Sequence, residues 1–136
     1  MKKDSNFLLE KDLALLRRRG RVVTYAEEQV ILKEKETNRR LFWLLRGSVR
    51  IELNRRFGNI VLANIRAGEM FGEMSFLGEE EASATVIANK EIECIVIDGE
   101  VLDEVLELHQ GLAARFYHTA AVTLARRLRF QGLTLK

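Results

Sequence analysis

Residues 71–86 read FGEMSFLGEEEASATV. The stretch opens on Gly72 and a carboxylate, Glu73, passes through a short apolar run from Met74 to Leu77, and closes on small residues ahead of Thr85 and Val86. It has too many glycines for a good strand and is too short for an ordinary helix. The layout suits a pocket for a small phosphate-bearing ligand, yet Glu79, Glu80 and Glu81 stand just before the closing small residues. Three acids and no base are the wrong charges for a phosphate.

On either side the texture is that of strands. VVTYA (22–26), QVILKE (29–34), LFWLLRG (41–47), SVRIEL (48–53), NIVLANI (59–65), ATVIA (84–88) and ECIVID (93–98) are short and rich in β-branched and aromatic residues, with polar or glycine-bearing turns between them. In SVRIEL, Val49, Ile51 and Leu53 share one face and Ser48, Arg50 and Glu52 the other. NRRFGN (54–59) reads as a hairpin connection. Evenly spaced short strands predict a sandwich or barrel. Helices flank it. The first is expected over about 4–19, capped by Asp4 or Ser5 and ended by Gly20. After Asp98, a plausible cap, the period becomes helical, with a break expected at Gly111. The second C-terminal helix carries a stripe of Leu112, Phe116, Ala120, Leu124 and Leu128, with Tyr117 and Ala121 beside it. That stripe is wide enough to serve both the core and a partner helix.

Composition narrows the function classes. At 136 residues the chain is expected to be one domain, 1–136, large enough for a core of its own. A net charge of +2 gives no general argument for nucleic acid. The basic groups Arg17, Arg18, Arg19 and Arg21, and Arg126, Arg127 and Arg129, read as solvated helix ends. The single cysteine, Cys94, excludes an internal disulfide and reads as a buried apolar residue of its strand. The N-terminus lacks the apolar core of a signal peptide, and no run reaches the roughly 20 apolar residues of a membrane span. A cytoplasmic protein without membrane contact is the expectation. A metalloenzyme barrel needs clustered histidines. His109 and His118 both lie in the helical C-terminal part, so no enzyme is expected, and they read as helix-end and helix-surface residues.

The order of helix, about eight strands with a glycine-rich insertion, and two helices resembles the cyclic-nucleotide-binding domain family. This is the antiparallel β-roll, a mainly β, α+β fold resembling a jelly roll, of the cyclic-AMP receptor protein and of protein kinase A regulatory subunits. LFWLLRGSVRI (41–51), AGEMFGEMSFLG (67–78) and ASATVIANKEIECIVID (82–98) carry the resemblance, which spans about 7–129. It implies that 67–84 forms a phosphate-binding cassette, whose short helix offers free N–H groups to the cyclic phosphate. It implies ligand-facing roles for Phe71, Gly72, Glu73, Met74, Ser75, Ala82, Ser83 and Ala84, with Glu73 on the ribose 2′-hydroxyl. The family's late cassette arginine, which pairs with the phosphate, falls on Ala82. No lysine or arginine stands between Arg66 and Lys90, whatever the alignment. Two turn glycines that the family places around its second strand are Glu28 and Lys35 here, so those turns are expected to be built differently.

Two readings follow. In the first, the chain is a non-catalytic regulatory or interaction module. It acts through a protein partner or a homodimer formed by its last helix, and binding of cyclic AMP or cyclic GMP (cAMP, cGMP) is weak or lost. In the second, it is a working sensor of cAMP or cGMP whose atypical cassette repositions that helix. Only QGLTLK follows Phe130, so no nucleic acid is expected to bind this chain alone.

Overall fold

The computed structural model describes residues 7–37, 39–78, 81–82 and 84–130. Helix α1 (Glu10–Arg19) leads into strands β1 (Arg21–Tyr25), β2 (Val30–Leu32), β3 (Arg40–Arg46), β4 (Ser48–Arg55), β5 (Gly58–Arg66) and β6 (Met70–Phe71). The short helix α2 (Glu73–Gly78), strands β7 (Thr85–Ala88) and β8 (Ile92–Asp98), and helices α3 (Gly99–Leu108) and α4 (Gln110–Phe130) follow. The strands form two antiparallel sheets, ordered β1-β8-β3-β6 and β2-β7-β4-β5. This is the expected β-roll with flanking helices.

The sequence explains the two-layer core. Strands β3 and β8 are apolar on both faces because both faces are covered. Phe42, Leu44, Cys94 and Val96 point between the sheets, where Val49, Ile65, Phe71 and Val86 meet them. Leu41, Met70 and Ile97 point the other way, against Leu16, Leu102, Val105, Leu112 and Phe116 of the helices. Phe42 and Phe71 stack with centroids 4.7 Å apart, which ties β6 to the centre of the sandwich. Cys94 is fully buried as expected, and desolvation pushes its thiol up to about 12. It is inert at neutral pH.

Several local expectations are corrected. The first helix begins at Glu10, not near residue 4. Leu9 is its cap residue, and the buried Asp12 carboxylate accepts the Leu9 N–H at 2.8 Å. Asp4 and Ser5 lie outside the described residues. The same carboxylate takes both Nε and Nη2 of Arg115, at 2.6 and 2.7 Å, and so clamps α1 to α4. The bond to Arg115 holds the Asp12 carboxyl below its usual range. Asp98 is the cap residue of α3 but makes no capping bond, and the helical break falls at His109, leaving Gly111 inside α4.

The turns around β2 take backbone that favours glycine although neither residue is one. Glu28 and Lys35 adopt φ of +66° and +73°, the left-handed conformation that glycine takes without strain. Neighbouring bonds hold them there. Glu28 N–H donates to the Ala88 carbonyl and Lys35 N–H to the Ala82 carbonyl, both at 2.8 Å. The Glu28 carboxylate also takes a bidentate grip from Arg50, at 2.7 and 3.1 Å. Glutamate and lysine hold this geometry because the surrounding bonds over-determine it.

Candidate functional site

The cassette segment is fixed at Gly72. Its φ is +85°, and a Cβ there would stand 2.8 Å from the Arg40 carbonyl oxygen and 3.1 Å from the Phe42 ring. Only glycine fits. The chain then enters α2, closed at its start by Phe76 N–H donating to the Gly72 carbonyl at 3.1 Å. Because α2 begins at Glu73, the Glu73 side chain turns inward and is 2% exposed.

The structure brings most of the expected residues together. Phe71, Gly72, Glu73, Met74, Ser75, Ala82 and Ala84 line one cavity with Leu32, Ile51 and Val86. Ser83 lies outside the described residues, as do Glu79 and Glu80, while Glu81 is exposed. Phe71 belongs mainly to the core, and Met74 is half exposed. Ala82 and Ala84 are buried, and Ala82 is held in the wall by its N–H to the Glu36 carbonyl at 2.9 Å.

Two features depart from a receptive pocket. The cavity measures about 50 Å³, whereas small-molecule pockets run from roughly 300 to 1,000 Å³. And Glu73 is already engaged. Arg127, in the last turns of α4, donates Nη1 to Glu73 Oε2 at 2.5 Å and Nη2 to the Met70 carbonyl. Arg127 is therefore not the solvated helix-end residue expected; its side chain is only 14% exposed. Arg126 and Arg129 are exposed as expected. The other oxygen, Glu73 Oε1, is buried with no hydrogen-bond partner among the described residues. The segment thus combines a fixed glycine turn with a buried carboxylate that receives a cation from a helix more than fifty residues away, and one carboxylate oxygen has no partner among the described residues.

Sequence reasoning missed Arg127. The sequence carried no signal for it: Glu73 reads as a ligand-facing carboxylate, and only its burial in the structure demands a cation that the cassette segment does not contain. Which of the twenty-two basic residues it was depended on how α4 crosses the sheet edges, which a helical period does not give.

The pair predicts an asymmetric stability pattern. Arg127→Met strands a buried carboxylate and is expected to cost about 3–5 kcal/mol. The double change Arg127→Met with Glu73→Gln removes the charge and is expected to recover most of that loss. Urea unfolding of the four proteins of the cycle measures it. Additive losses would mean that the two groups do not interact.

Comparisons with known proteins agree with the fold. The profile of the cyclic nucleotide-binding domain matches residues 22–109. A cyclic AMP receptor protein of Thermus thermophilus is 34% identical over 127 residues, covering 93% of this chain and 56% of that protein. Cyclic GMP-binding protein C of Dictyostelium discoideum is 27% identical over 130 residues, 89% of this chain but 5% of its own length. The crystal structure of the Thermus thermophilus catabolite activator protein superposes with a TM-score of 0.76 at 28% identity, over 93% of this chain and 58% of that one. The chain spans about half the length of the Thermus relatives and a small part of the Dictyostelium one. With a family profile matched over more than half its length, and the two-sheet roll, cassette turn and flanking helices in place, this chain belongs to the cyclic nucleotide-binding domain family.

Proposed function

We propose that the chain is a non-catalytic regulatory module, one domain over 1–136, whose cassette is closed by its own C-terminal helix and binds cAMP or cGMP weakly or not at all. The observation that carries the reading is the Arg127–Glu73 pair. It occupies the carboxylate that the family uses for ribose and leaves a cavity far smaller than a nucleotide. The absence of a cassette arginine supports the same reading. A missing partner for a buried charge is worth about 3–5 kcal/mol, or roughly a hundred- to several thousandfold in affinity at 1.4 kcal/mol per decade. No helix among the described residues is long and apolar enough to cross a membrane, and the cytoplasmic placement expected from the sequence is kept as part of this proposal.

Partner binding falls to the outer face of α4. The stripe read from the sequence splits in two: Leu112, Phe116 and Ala120 are buried in the core, whereas Leu128 and Tyr117 are each 49% exposed. Ala114, Tyr117, Ala121, Leu124 and Leu128 are spaced three and four residues apart in alternation, the seam of a paired helix. A homodimer through this seam accounts for the apolar residues left outside. Changing Leu124 and Leu128 to Lys is expected to shift sedimentation from dimer to monomer without altering the circular dichroism; a wild type that sediments as a monomer at high concentration contradicts the dimer.

A second reading is favoured by Glu73 Oε1. A buried acceptor without a donor is costly, and a ligand hydroxyl would satisfy it, with Arg127 turning to the ligand's phosphate. That is a working sensor in which α4 supplies the cation. Calorimetric titration with cAMP and cGMP to millimolar ligand separates the two. The closed-cassette reading predicts no saturable heat below about a millimolar, for the unmodified chain and for Ala82→Arg alike, whereas an open pocket that lacks only its cation predicts a gain of tenfold or more in affinity for Ala82→Arg, which restores a cation at the family's position. Micromolar binding by the unmodified chain would favour the sensor.

A further inference from the structure

A second cavity, of about 600 Å³, shares Arg127 with the cassette cavity but none of its other lining residues. It lies where α4 crosses the edge strands β5 and β6. Its volume falls within the range of ligand pockets. Trp43, Met70 and Val122 give it an apolar floor, and Phe7 and Leu8 close one side. That side is fixed in place: Leu8 N–H donates to Thr119 Oγ1 at 3.1 Å, and the Phe7 ring meets His118 edge-on at 4.8 Å.

The rim is cationic. Arg66 from β5 and Arg126 from α4 both line the cavity and are exposed, and neither guanidinium has a hydrogen bond or ion pair among the described residues. The one carboxylate there, Glu69, is already accepting the Arg66 backbone N–H at 2.9 Å. Arg127 also forms part of the wall but is held by Glu73. Two guanidinium groups without a partner among the described residues, in one cavity with an indole, are complementary to a flat apolar body bearing an anionic group, since guanidinium binds carboxylate, sulfonate or phosphate in a fork and aromatic rings stack on flat surfaces.

The proposed dimer seam does not cover this cavity. Thr119, Val122, Thr123, Arg126 and Arg127 of the cavity and Ala114, Tyr117, Ala121, Leu124 and Leu128 of the seam are centred roughly 170° apart around α4, at 3.6 residues per turn. We infer that the cavity between α4 and the edge of the roll is a second binding site, separate from the cassette, for a small aromatic anion that Arg66 and Arg126 hold over Trp43. Its occupant touches the same Arg127 that closes the cassette. The site stands on its own lining and does not depend on whether the cassette binds a nucleotide.

The chain reports on this site directly, because Trp43 is its one tryptophan. The probe is 8-anilinonaphthalene-1-sulfonate, an aromatic anion whose absorption overlaps indole emission, titrated into the full chain while Trp43 emission is followed. Saturable quenching is expected, with at least a tenfold loss of affinity in Arg66→Glu with Arg126→Glu. Affinity is expected to be unchanged in Arg17→Glu with Arg18→Glu, which removes the same charge from the exposed end of α1. Inorganic phosphate as competitor separates the sources: displacement at low millimolar concentration assigns the site to phosphate-bearing ligands, and failure to displace assigns it to aromatic carboxylates or sulfonates. Quenching that does not saturate, or that both double variants weaken equally, overturns the proposal. So does a shift of Trp43 emission on dilution without ligand, since a second copy would then fill the cavity.

Discussion

A carboxylate buried to 2% exposure next to the core of a small domain must be answered by a positive charge, and that requirement organises this molecule. Glu73 is buried because Gly72 turns the chain inward and α2 starts immediately after it. No base lies within reach in sequence, so Arg127 comes from the far end of α4. The helix is thereby fixed at its last turns to the cassette, as Asp12 and Arg115 fix it at its start to α1. Between these two clamps Phe116 and Ala120 close the core beneath it. The position of α4 in turn creates the two surfaces on which the functional proposals rest: the apolar seam facing outward and the cationic cavity against the edge of the roll.

The cassette segment has a sterically fixed backbone and a carboxylate paired from outside it. Its backbone frame depends on steric facts, such as the close approach of Gly72 to the Arg40 carbonyl and the stacking of Phe71 on Phe42. Its buried carboxylate is paired by a cation from outside the segment, Arg127 of α4. The left-handed turns at Glu28 and Lys35 make the same point, since each keeps its conformation through hydrogen bonds to β7 and the adjoining loop although the residue no longer favours it. Backbone geometry here is held by many neighbours, whereas ligand affinity would be held by one or two charges.

This division also explains what could be read from the sequence. The roll was legible because its information is local and repeated: the alternation of Val49 and Ile51, the doubly apolar β3 and β8, and the glycine turn at residue 72. The lining of the cassette cavity followed from the same segment. Cap positions were less legible, because Leu9 offers no capping side chain of its own and Asp12 supplies the bond from three residues on. The break at His109 was displaced from Gly111 because α4 absorbs that glycine in its first turn. Arg127 was illegible for a different reason. An exposed helix end and a buried ion pair are the same residues in a one-dimensional pattern, and only the crossing of α4 over the sheet edges decides between them.

The central claim is that the Arg127–Glu73 pair latches α4 to the cassette. Amide hydrogen exchange of the wild type against Glu73→Gln tests it most directly, because the substitution removes the charge while keeping the shape of the side chain. Faster exchange is expected in residues 122–130 and in 70–78, with strands β3, β4 and β8 unchanged. Equal exchange of the two proteins over the last turns of α4 would show that the helix is held by apolar packing alone and would contradict the latch.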